Sequence, residues 1–245
     1  MKDFGPETFG ELNAEGYDVF HDPGTTEISV ERIAEVARSG RILELAIGTG
    51  RIALPLLHKG FELAGIEGSP LMVDKLREKP GGDQIDVVIG DFADVEIDGV
   101  YDHVCLVFNT FFNLPSQDAQ IRCIANTAKR LKPGGTFLVE TFVPDLSAFK
   151  DHQRVSTRKL GQGFVVIEAA VHDPVRQTFE FQRIHFSDAG TRLVPLPMRY
   201  AFPPEMDLMA QLAGLKLRDR WGGWNKEPFT ADSKMHVSVY EKPAA

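Results

Sequence analysis

The feature that most constrains the fold of this chain is an alternation of short β-rich runs with helix-length amphipathic runs between residues 41 and 142. Strands that alternate with helices at this spacing form a parallel sheet with helices on both faces. The predicted strands are Arg41–Ala46, Phe61–Ile66, Ile85–Ile89, Tyr101–Phe108 and Thr136–Phe142, and the predicted helices are Arg51–Lys59, Pro70–Glu78 and Ser116–Leu131.

The pattern changes beyond this region. From about Val155 to Tyr200 the runs are β-like, and the turn sequences Asp173-Pro174-Val175-Arg176 and Asp188-Ala189-Gly190 are typical of hairpins. An antiparallel insertion is therefore predicted, followed by a return to the α/β pattern. The strands predicted in the insertion are Gly163–His172, Thr178–Ser187 and Arg192–Tyr200, and the later elements are a helix over Pro203–Ala213 and strands over Lys216–Trp221 and Met235–Glu241.

The chain divides into four predicted segments. Residues 1–40 form a helical cap, with its clearest helix at Ser29–Arg38, and residues 41–150 form the sheet core. Residues 151–202 form the antiparallel insertion, and residues 203–245 complete the core with the last helix and strands.

Composition limits the classes of function. A length of 245 residues suits one large α/β domain. The formal charge of −8 comes without a basic stripe, which argues against a nucleic-acid substrate. The sequence has no Cys/His cluster with metal-ligand spacing, and its apolar stretches are too short to span a bilayer. Cys105 and Cys123 are interpreted as free thiols, so a cytoplasmic protein without metal or membrane contact is expected.

A glycine-rich turn follows the first predicted strand. The run Ile42-Leu43-Glu44-Leu45-Ala46-Ile47-Gly48-Thr49-Gly50 leads from the strand through the turn to the first helix. Glycines at such a turn let the backbone approach a nucleotide-like ligand closely. Gly48, Gly50 and Ala53 also satisfy the looser dinucleotide pattern G-x-G-x-x-A, so an NAD(P)-dependent oxidoreductase is an alternative.

Glu44 helps to distinguish the two ligands. It lies within a strand predicted to be buried, where an isolated carboxylate is costly and needs a partner. Such a carboxylate would repel the pyrophosphate of a dinucleotide, whereas S-adenosylmethionine offers an ammonium group that it could help to hold. A hydrogen bond from the amides of the glycine turn to Glu44 is the alternative interpretation, and it is compatible with the same ligand.

Further motifs follow in the order found in one enzyme family. The run E-L-A-I-G-T-G resembles the E/D-x-x-x-G-x-G motif of the class I S-adenosylmethionine-dependent methyltransferases, although Ala46 stands where many members have glycine. Gly65–Met72 resembles the family's G-I-D-x-S-x-x-M motif, with Glu67 replacing aspartate. Gly90-Asp91-Phe92 resembles its G-D motif, and Lys132–Gly135 resembles its turn before the fifth strand.

The resemblance covers nearly the whole chain and implies a fold. It implies a Rossmann-like α/β fold with a seven-stranded sheet in the order 3-2-1-4-5-7-6, in which strand 7 is antiparallel and an antiparallel β insertion follows strand 5. The insertion resembles that of amino-sugar N,N-dimethyltransferases and glycine N-methyltransferase-like enzymes, where it covers the acceptor and often contributes to dimerisation. A small-molecule acceptor and a monomer or homodimer are therefore expected.

The resemblance also implies S-adenosylmethionine as cofactor and a set of residues that bind it. Glu67, nineteen positions after Gly48, would accept hydrogen bonds from both ribose hydroxyls. Met72 would lie against the adenine, Asp91 would accept from its amino group, and Phe92 would cover the ring. The complete predicted set is Tyr17, Glu44, Ala46, Gly48, Gly50, Glu67, Gly68, Met72, Gly90, Asp91, Phe92 and Phe108.

The methyl acceptor is expected at the carboxyl ends of the strands. Asn109, Glu140 and Tyr17 are the predicted catalytic residues, acting by positioning or as a base; Tyr17 resembles the tyrosine of the helix that closes over the cofactor. We expect the insertion to roof the acceptor pocket and not the adenosine pocket, and the core to fold without it. The aromatic residues expected around the acceptor, each of which could instead be core, are Phe111, Phe112, Phe142, Trp221 and Trp224.

The expected reaction is in-line transfer of the sulfonium methyl group to a nitrogen or oxygen atom of a small molecule. A general base is needed only if the acceptor must lose a proton, and Glu140, His172 and His185 are the candidates. A solvated strand face is the preferred interpretation of both histidines. Two other functions stay open: an NAD(P)-dependent oxidoreductase, although no convincing catalytic Tyr/Lys or His arrangement follows the sheet, and a non-catalytic protein that binds S-adenosylmethionine.

Overall fold

The computed structural model describes residues 4–244. Short 3-10 helices at Ala14–Gly16, Gly82–Gln84 and Thr110–Asn113 connect some of the regular elements. In chain order the helices and strands are α1 (Thr8–Asn13), α2 (Tyr17–Phe20), α3 (Thr26–Ala37), β1 (Arg41–Leu45), α4 (Ala53–His58), β2 (Glu62–Glu67), α5 (Pro70–Arg77), β3 (Asp86–Ile89), β4 (Tyr101–Leu106), α6 (Gln117–Arg130), β5 (Leu131–Phe142), β6 (Gln153–Gly161), β7 (Phe164–Asp173), β8 (Thr178–Ser187), β9 (Gly190–Arg199), α7 (Pro203–Leu212), β10 (Lys216–Trp221) and β11 (Met235–Glu241).

The central sheet has seven strands in the order β10-β11-β5-β4-β1-β2-β3. Strand β1 pairs in parallel with β2 and β4, and β11 runs antiparallel between β5 and β10. When β10 and β11 are counted as the sixth and seventh core strands, the order is 3-2-1-4-5-7-6. The predicted fold class is confirmed, including the antiparallel seventh strand.

Helices cover both faces of this sheet, as strands that are apolar on both sides require. On one face, α3 and α4 pack through Ile33 and Leu56. On the other face, α6 and α7 pack through Ile124 and Met209. Because β1 to β5 run parallel, they end at one common edge of the sheet, and the loops that follow them lie next to each other there.

Local signals place the helix boundaries as predicted. Pro70 begins α5, and the Ser116 hydroxyl accepts a hydrogen bond from the Ala119 amide at 3.1 Å, so Ser116 caps α6. Strand β5 begins at Leu131, earlier than predicted, because Leu131 pairs with Tyr101. The predicted turn at Lys132–Gly135 is therefore an irregular start of β5, where the pairing register shifts.

The insertion is a second, antiparallel sheet in the order β6-β7-β8-β9. Three of its strands follow the prediction, whereas β6 was not predicted. Strand β6 lies at the sheet edge and is exposed over most of its length, so its sequence has no alternation of apolar and polar residues that would identify a strand. Basic side chains such as Arg154, Arg158 and Lys159 are typical of an edge strand of this kind.

The insertion shares its apolar core with the central domain. Phe179, Phe181, Leu196 and Tyr200 belong to the same buried cluster as the side chains of α6 and α7. Removing the insertion would expose this cluster to water, which favours a core that needs the insertion over the expected core that folds without it. Among residues 4–244, no helix is long and apolar enough to cross a membrane.

Candidate active site

A cavity of about 1060 Å³ lies at the edge of the sheet where the parallel strands end. Three parts of the chain surround it: the segment from Phe4 to Pro23, the loops after β1 to β4, and the strands of the insertion. The cavity is continuous from the glycine turn to the insertion. No group of three or more metal-ligating side chains occurs within residues 4–244, so the described chain offers no clustered metal site.

The glycine turn after β1 has left-handed backbone conformation at Ala46, Gly48 and Gly50, with φ of +54°, +56° and +83°. A Cβ atom on Gly48 would project into open space, because its nearest neighbour is the Ala46 carbonyl oxygen at 4.0 Å. The backbone of Gly48 is therefore accessible to a ligand in the cavity. A left-handed alanine costs about 1–2 kcal/mol, which explains why glycine suits position 46.

Gly50, which was predicted to contact the ligand, also has a packing role. A Cβ atom there would lie 2.4 Å from Leu76 Cδ1, so the missing side chain lets α5 pack against the turn. Gly50 is not among the residues that line the cavity.

Glu67 ends β2 and lines the cavity. Its Oε2 accepts a hydrogen bond from the Gly48 amide at 2.8 Å, and its Oε1 accepts one from the Ser69 amide at 3.0 Å. Burial raises the pKa of Glu67, while these amides favour the ionised form. A carboxylate has about four acceptor positions, so both oxygens retain capacity for two further donors such as ribose hydroxyls.

The predicted adenine-binding residues also lie at the cavity wall. Met72 of α5 is buried and lines the cavity, as do Asp91 and Phe92 after β3. Asp91 Oδ1 accepts a hydrogen bond from the Ala93 amide at 2.8 Å, which fixes the orientation of its carboxylate. Gly90 does not line the cavity; its amide donates to the Glu67 carbonyl at 2.9 Å.

Gly68 allows the N-terminal segment to close over the turn. It lines the cavity, and a Cβ atom on it would lie 2.5 Å from the Pro6 carbonyl oxygen. Any side chain at this position would push away the segment that precedes α1.

Glu44 is buried at 3% exposure and is not part of the cavity wall. Burial raises its pKa to about 8, so the carboxyl group is mostly protonated at neutral pH. It accepts a hydrogen bond from the Ala53 amide, and within the described part of the chain its Oε2 has no partner. Ala53 is the first residue of α4, so Glu44 supports the start of the helix that follows the glycine turn, and the geometry gives no support to an ammonium contact.

The end of β4 forms a second left-handed corner, at Phe108 and Asn109, with φ of +62° and +64°. Both residues line the cavity. Asn109 Oδ1 accepts a hydrogen bond from the Phe142 amide at 2.6 Å. Glu140 Oε2 accepts one from the Phe108 amide at 2.6 Å, and Glu140 Oε1 accepts one from Trp224 Nε1 at 3.0 Å. Glu140 is outside the cavity wall, so its geometry suits positioning of this corner and not proton abstraction.

The aromatic lining differs from the predicted one. Phe111, Phe112 and Trp224 are buried at 0%, 0% and 3% exposure and belong to the core. None of these three, nor Phe142 and Trp221, lines the cavity. The aromatic residues that do line it are Phe4, Phe9, Tyr17, Phe20, Phe92, Phe108, Phe164 and Phe179.

Tyr17 of α2 lies at the cavity as predicted. Its ring stacks on His21 with a centroid separation of 4.8 Å and meets Phe9 edge-on at 6.2 Å. Burial raises the pKa of Tyr17 to about 12, so the phenol stays neutral at physiological pH and can act as a hydrogen-bond donor.

Neither of the two histidines predicted to lie on a solvated strand face, His172 and His185, does so. His185 lines the cavity, and so does His21, which the sequence did not indicate. His172 is buried and its Nε2 lies 2.9 Å from the Tyr200 hydroxyl, away from the cavity. The interpretation of His172 as a residue of a solvated face is therefore wrong.

Residues 42–135 match the family model of a methyltransferase domain. The solved CcbJ methyltransferase from Streptomyces caelestis superposes with a TM-score of 0.92 at 37% identity, covering 98% of this chain and 100% of that chain. The chain belongs to the class I S-adenosylmethionine-dependent methyltransferases.

Other relatives are also methyltransferases. The cypemycin N-terminal methyltransferase of a Streptomyces species is 27% identical to this methyltransferase over 243 residues, covering 97% of this chain and 98% of the relative. The S-adenosylmethionine-bound amino pentose methyltransferase of Micromonospora echinaspora shares its fold, with a TM-score of 0.68 at 19% identity over 93% of this chain and 95% of that one. The cofactor is S-adenosylmethionine, and the oxidoreductase alternative has no support.

Proposed function

We propose that this methyltransferase moves a methyl group from S-adenosylmethionine to a nitrogen atom of a small molecule. The observation that carries the proposal is the single cavity of about 1060 Å³, which exceeds the volume that one drug-sized ligand fills. One end has Gly48, Glu67 and Asp91, and the other end has the insertion strands. Two ligands can therefore meet inside it.

In this proposal the cofactor occupies the end formed by the glycine turn. Glu67 accepts the ribose hydroxyls, Met72 and Phe92 enclose the adenine, and Asp91 accepts from its amino group. Tyr17 closes the cavity from the cap side, next to the corner formed by Phe108 and Asn109. The bound cofactor supplies an electrophilic methyl group, and the protein contributes by holding the acceptor in line with it.

A nitrogen acceptor is favoured by the placement of the acidic groups. An amine attacks through its lone pair and loses its proton after transfer, so it needs no base in the transition state. At the corner after β4, the Glu140 carboxylate is already occupied by the Phe108 amide and the Trp224 indole. The cypemycin relative is named as an N-terminal methyltransferase and another relative as an amino pentose methyltransferase, which supports an amine.

An oxygen acceptor is the second candidate, and one observation favours it. His185 and His21 both line the cavity, and burial lowers the pKa of each, that of His21 to about 4. A neutral imidazole can accept a proton, but a pKa near 4 makes His21 a weak base, so His185 is the better candidate. We expect His185→Gln and His21→Gln each to reduce turnover by less than about a hundredfold; a loss beyond about a thousandfold with unchanged cofactor affinity would identify a general base.

The test of the proposed function is a screen for release of S-adenosylhomocysteine. Small amines, phenols and sugar-linked metabolites are offered with S-adenosylmethionine, and each methylated product is located by mass spectrometry. We expect turnover with amines. Turnover with phenols or alcohols alone would replace the nitrogen acceptor by oxygen, and tight cofactor binding without turnover of any acceptor would favour a non-catalytic binding protein.

The cellular setting belongs to the same proposal. We expect a cytoplasmic enzyme, a monomer or homodimer, with no nucleic-acid partner. The net charge of −8 and the two buried free thiols, Cys105 and Cys123, support this setting.

A further inference from the structure

The insertion brings basic side chains to the far end of the cavity. Arg158 and Lys159 of β6 and Arg183 of β8 all line it, and we call these three residues the roof cluster. They meet the cap: Lys159 Nζ lies 3.5 Å from the Phe20 carbonyl oxygen, and Arg183 Nη1 lies 3.5 Å from His21 Nε2.

The charges of the arginines that contact Glu168, taken together with Lys159, are not balanced. Glu168 of β7 ion-pairs with Arg154 at 3.1 Å and with Arg183 at 3.4 Å, and it lies 3.9 Å from Arg158. Three guanidinium groups therefore share one buried carboxylate. Lys159 adds a fourth cation, so these five residues carry 4 − 1 = +3. This positive charge is local, because the whole chain carries −8.

Low solvent exposure near Glu168 strengthens the electrostatic effect of this excess positive charge. The Glu168 side chain is only 5% exposed and that of Arg183 only 23%, so solvent screens this pair less than it screens surface ion pairs, whereas Arg158 is 51% exposed. Glu180 also lines the cavity, but side chains alternate along a strand, which places it on the opposite face of β8 from Arg183. His21 shows the field of the cluster: after burial, the charges of Arg183 and Lys159 are among the causes that hold its pKa near 4.

We propose that the roof cluster binds an anionic group of the methyl acceptor, a carboxylate or a phosphate. Guanidinium and ammonium groups in a partly enclosed cavity make strong, charge-assisted hydrogen bonds to such groups. The cluster belongs to the insertion, whereas the residues proposed for the cofactor follow β1, β2 and β3. This inference rests on the proposed function and adds to it: the acceptor presents a nitrogen atom to the methyl group and an anionic group to the roof.

The test compares two aromatic probes of similar shape on protein saturated with S-adenosylhomocysteine. Anilinonaphthalenesulfonate carries a negative charge and phenylnaphthylamine does not, and the fluorescence of each reports binding. The variant is Lys159→Gln/Arg183→Gln, and the control is Lys216→Gln, which removes an exposed cation of β10 outside the cavity wall. Competition by inorganic phosphate and by acetate distinguishes the two kinds of anion.

We expect the double variant to bind the anionic probe at least about tenfold more weakly, because two charge-assisted contacts are lost. Its affinity for the uncharged probe should change less than about twofold, and Lys216→Gln should behave as wild type. Glu168→Gln should strengthen binding of the anionic probe and leave binding of the uncharged probe unchanged, whereas partial unfolding would increase the binding of both probes.

Three results would overturn the inference. They are equal losses for both probes in the double variant, an unchanged affinity for the anionic probe, and a wild-type protein that does not prefer the anionic probe. The proposed function is tested separately by titration with S-adenosylhomocysteine alone, which the roof variants should bind with wild-type affinity. If the wild-type protein does not bind S-adenosylhomocysteine, that result counts against the proposed function and not against the roof cluster.

Discussion

At the end of β2, one carboxylate connects the fold to the ligand site. Glu67 accepts the amides of Gly48 and Ser69, so it holds the glycine turn against the start of α5 while it borders the cavity. The family motif has the shorter aspartate here.

Replacing Glu67 by alanine tests this arrangement. Both amides lose their acceptor and the ribose hydroxyls lose theirs, so we expect S-adenosylhomocysteine to bind about 1.5–3 kcal/mol more weakly, the usual cost of losing a charged hydrogen-bonding group. Glu62→Ala, at the exposed opposite end of β2, is the matched control and should bind as wild type. Calorimetric titration measures both, and an unchanged affinity for Glu67→Ala would refute the assignment.

Glu44 makes stability depend on pH. Its folded-state pKa of about 8 lies above the ordinary value of 4.5, so the folded protein keeps a proton that the unfolded chain releases. The associated stability is fully present below pH 4.5 and is lost as the pH rises towards 8. We expect Glu44→Gln, which keeps the shape of the side chain, to remove this slope of up to about 1.4 kcal/mol per pH unit.

Urea unfolding of the cofactor-free protein at pH 5 and pH 8 provides the measurement. The wild-type free energy of unfolding should fall more steeply between these values than that of Glu44→Gln. Parallel pH dependences of the two proteins would show that Glu44 is ionised in the folded state.

Where a motif fixes the backbone, the predicted cofactor-binding residues lie at the cavity, and their contacts with the cofactor stay a prediction. Gly48, Glu67, Met72, Asp91 and Phe92 all line the cavity. Gly50, Gly90, Glu44 and Glu140 share the same motifs or strands, yet they support the wall from behind. A motif indicates which residues lie near the turn, whereas packing decides which side of the turn each one faces.

At the scale of elements, α2 is fastened to the glycine turn by one acidic side chain. Asp18 accepts a hydrogen bond from the Thr49 hydroxyl at 2.5 Å and ion-pairs with Lys79 at 2.6 Å. Lys79 Nζ also donates to the Thr49 carbonyl at 2.8 Å. The cap, the turn and the end of α5 are therefore joined at one point, close to Tyr17.

We expect Asp18→Asn to loosen this connection without unfolding the protein. The side chain of Asp18 is 50% exposed, so the pair contributes modestly, and dissociation of S-adenosylhomocysteine should accelerate only about two- to fivefold. Glu15→Gln, an exposed change in the same cap, is the control. Stopped-flow dissociation rates give the comparison, and equal rates in wild type and Asp18→Asn would mean that the cap does not restrain the cofactor.

The insertion shows what patterns in the sequence can and cannot reveal about an element. Strands β7, β8 and β9 bury every second side chain over part of their length, so their alternation predicted them. Strand β6 has little burial to produce alternation. The packing of Phe179 and Tyr200 into the central core is a tertiary contact that no local pattern contains.

Replacing residues 155–200 by a Gly/Ser linker should therefore destroy the native fold. Burial of a large apolar side chain contributes about 1.5–3 kcal/mol, and the deletion removes several such side chains from one cluster, which approaches the whole stability of an ordinary domain. Circular dichroism during heating measures the result. A cooperative transition together with cofactor binding in the deletion variant would show that the hairpins are an independent addition.

At the scale of the whole molecule, the sheet brings distant parts of the chain to one cavity. The sheet order could be predicted, because the alternation of elements and the family motifs together leave few topologies. The meeting of His21 with Arg183 could not, because these residues are far apart in sequence and belong to a cap and an insertion whose relative placement depends on packing. The residues at the glycine-turn end of the cavity were therefore predictable, and most of those at the insertion end were not.

A crystal structure of the complex with S-adenosylhomocysteine is the measurement that tests the central claim most directly. The claim is that one cavity holds the cofactor at the glycine turn and the acceptor beneath the insertion. We predict density with the ribose hydroxyls on Glu67, the adenine between Met72 and Phe92, and the sulfur atom directed towards Asn109 and the open space below the roof cluster. A cofactor bound against Arg183 and Lys159, with Glu67 free of ribose contacts, would contradict the claim.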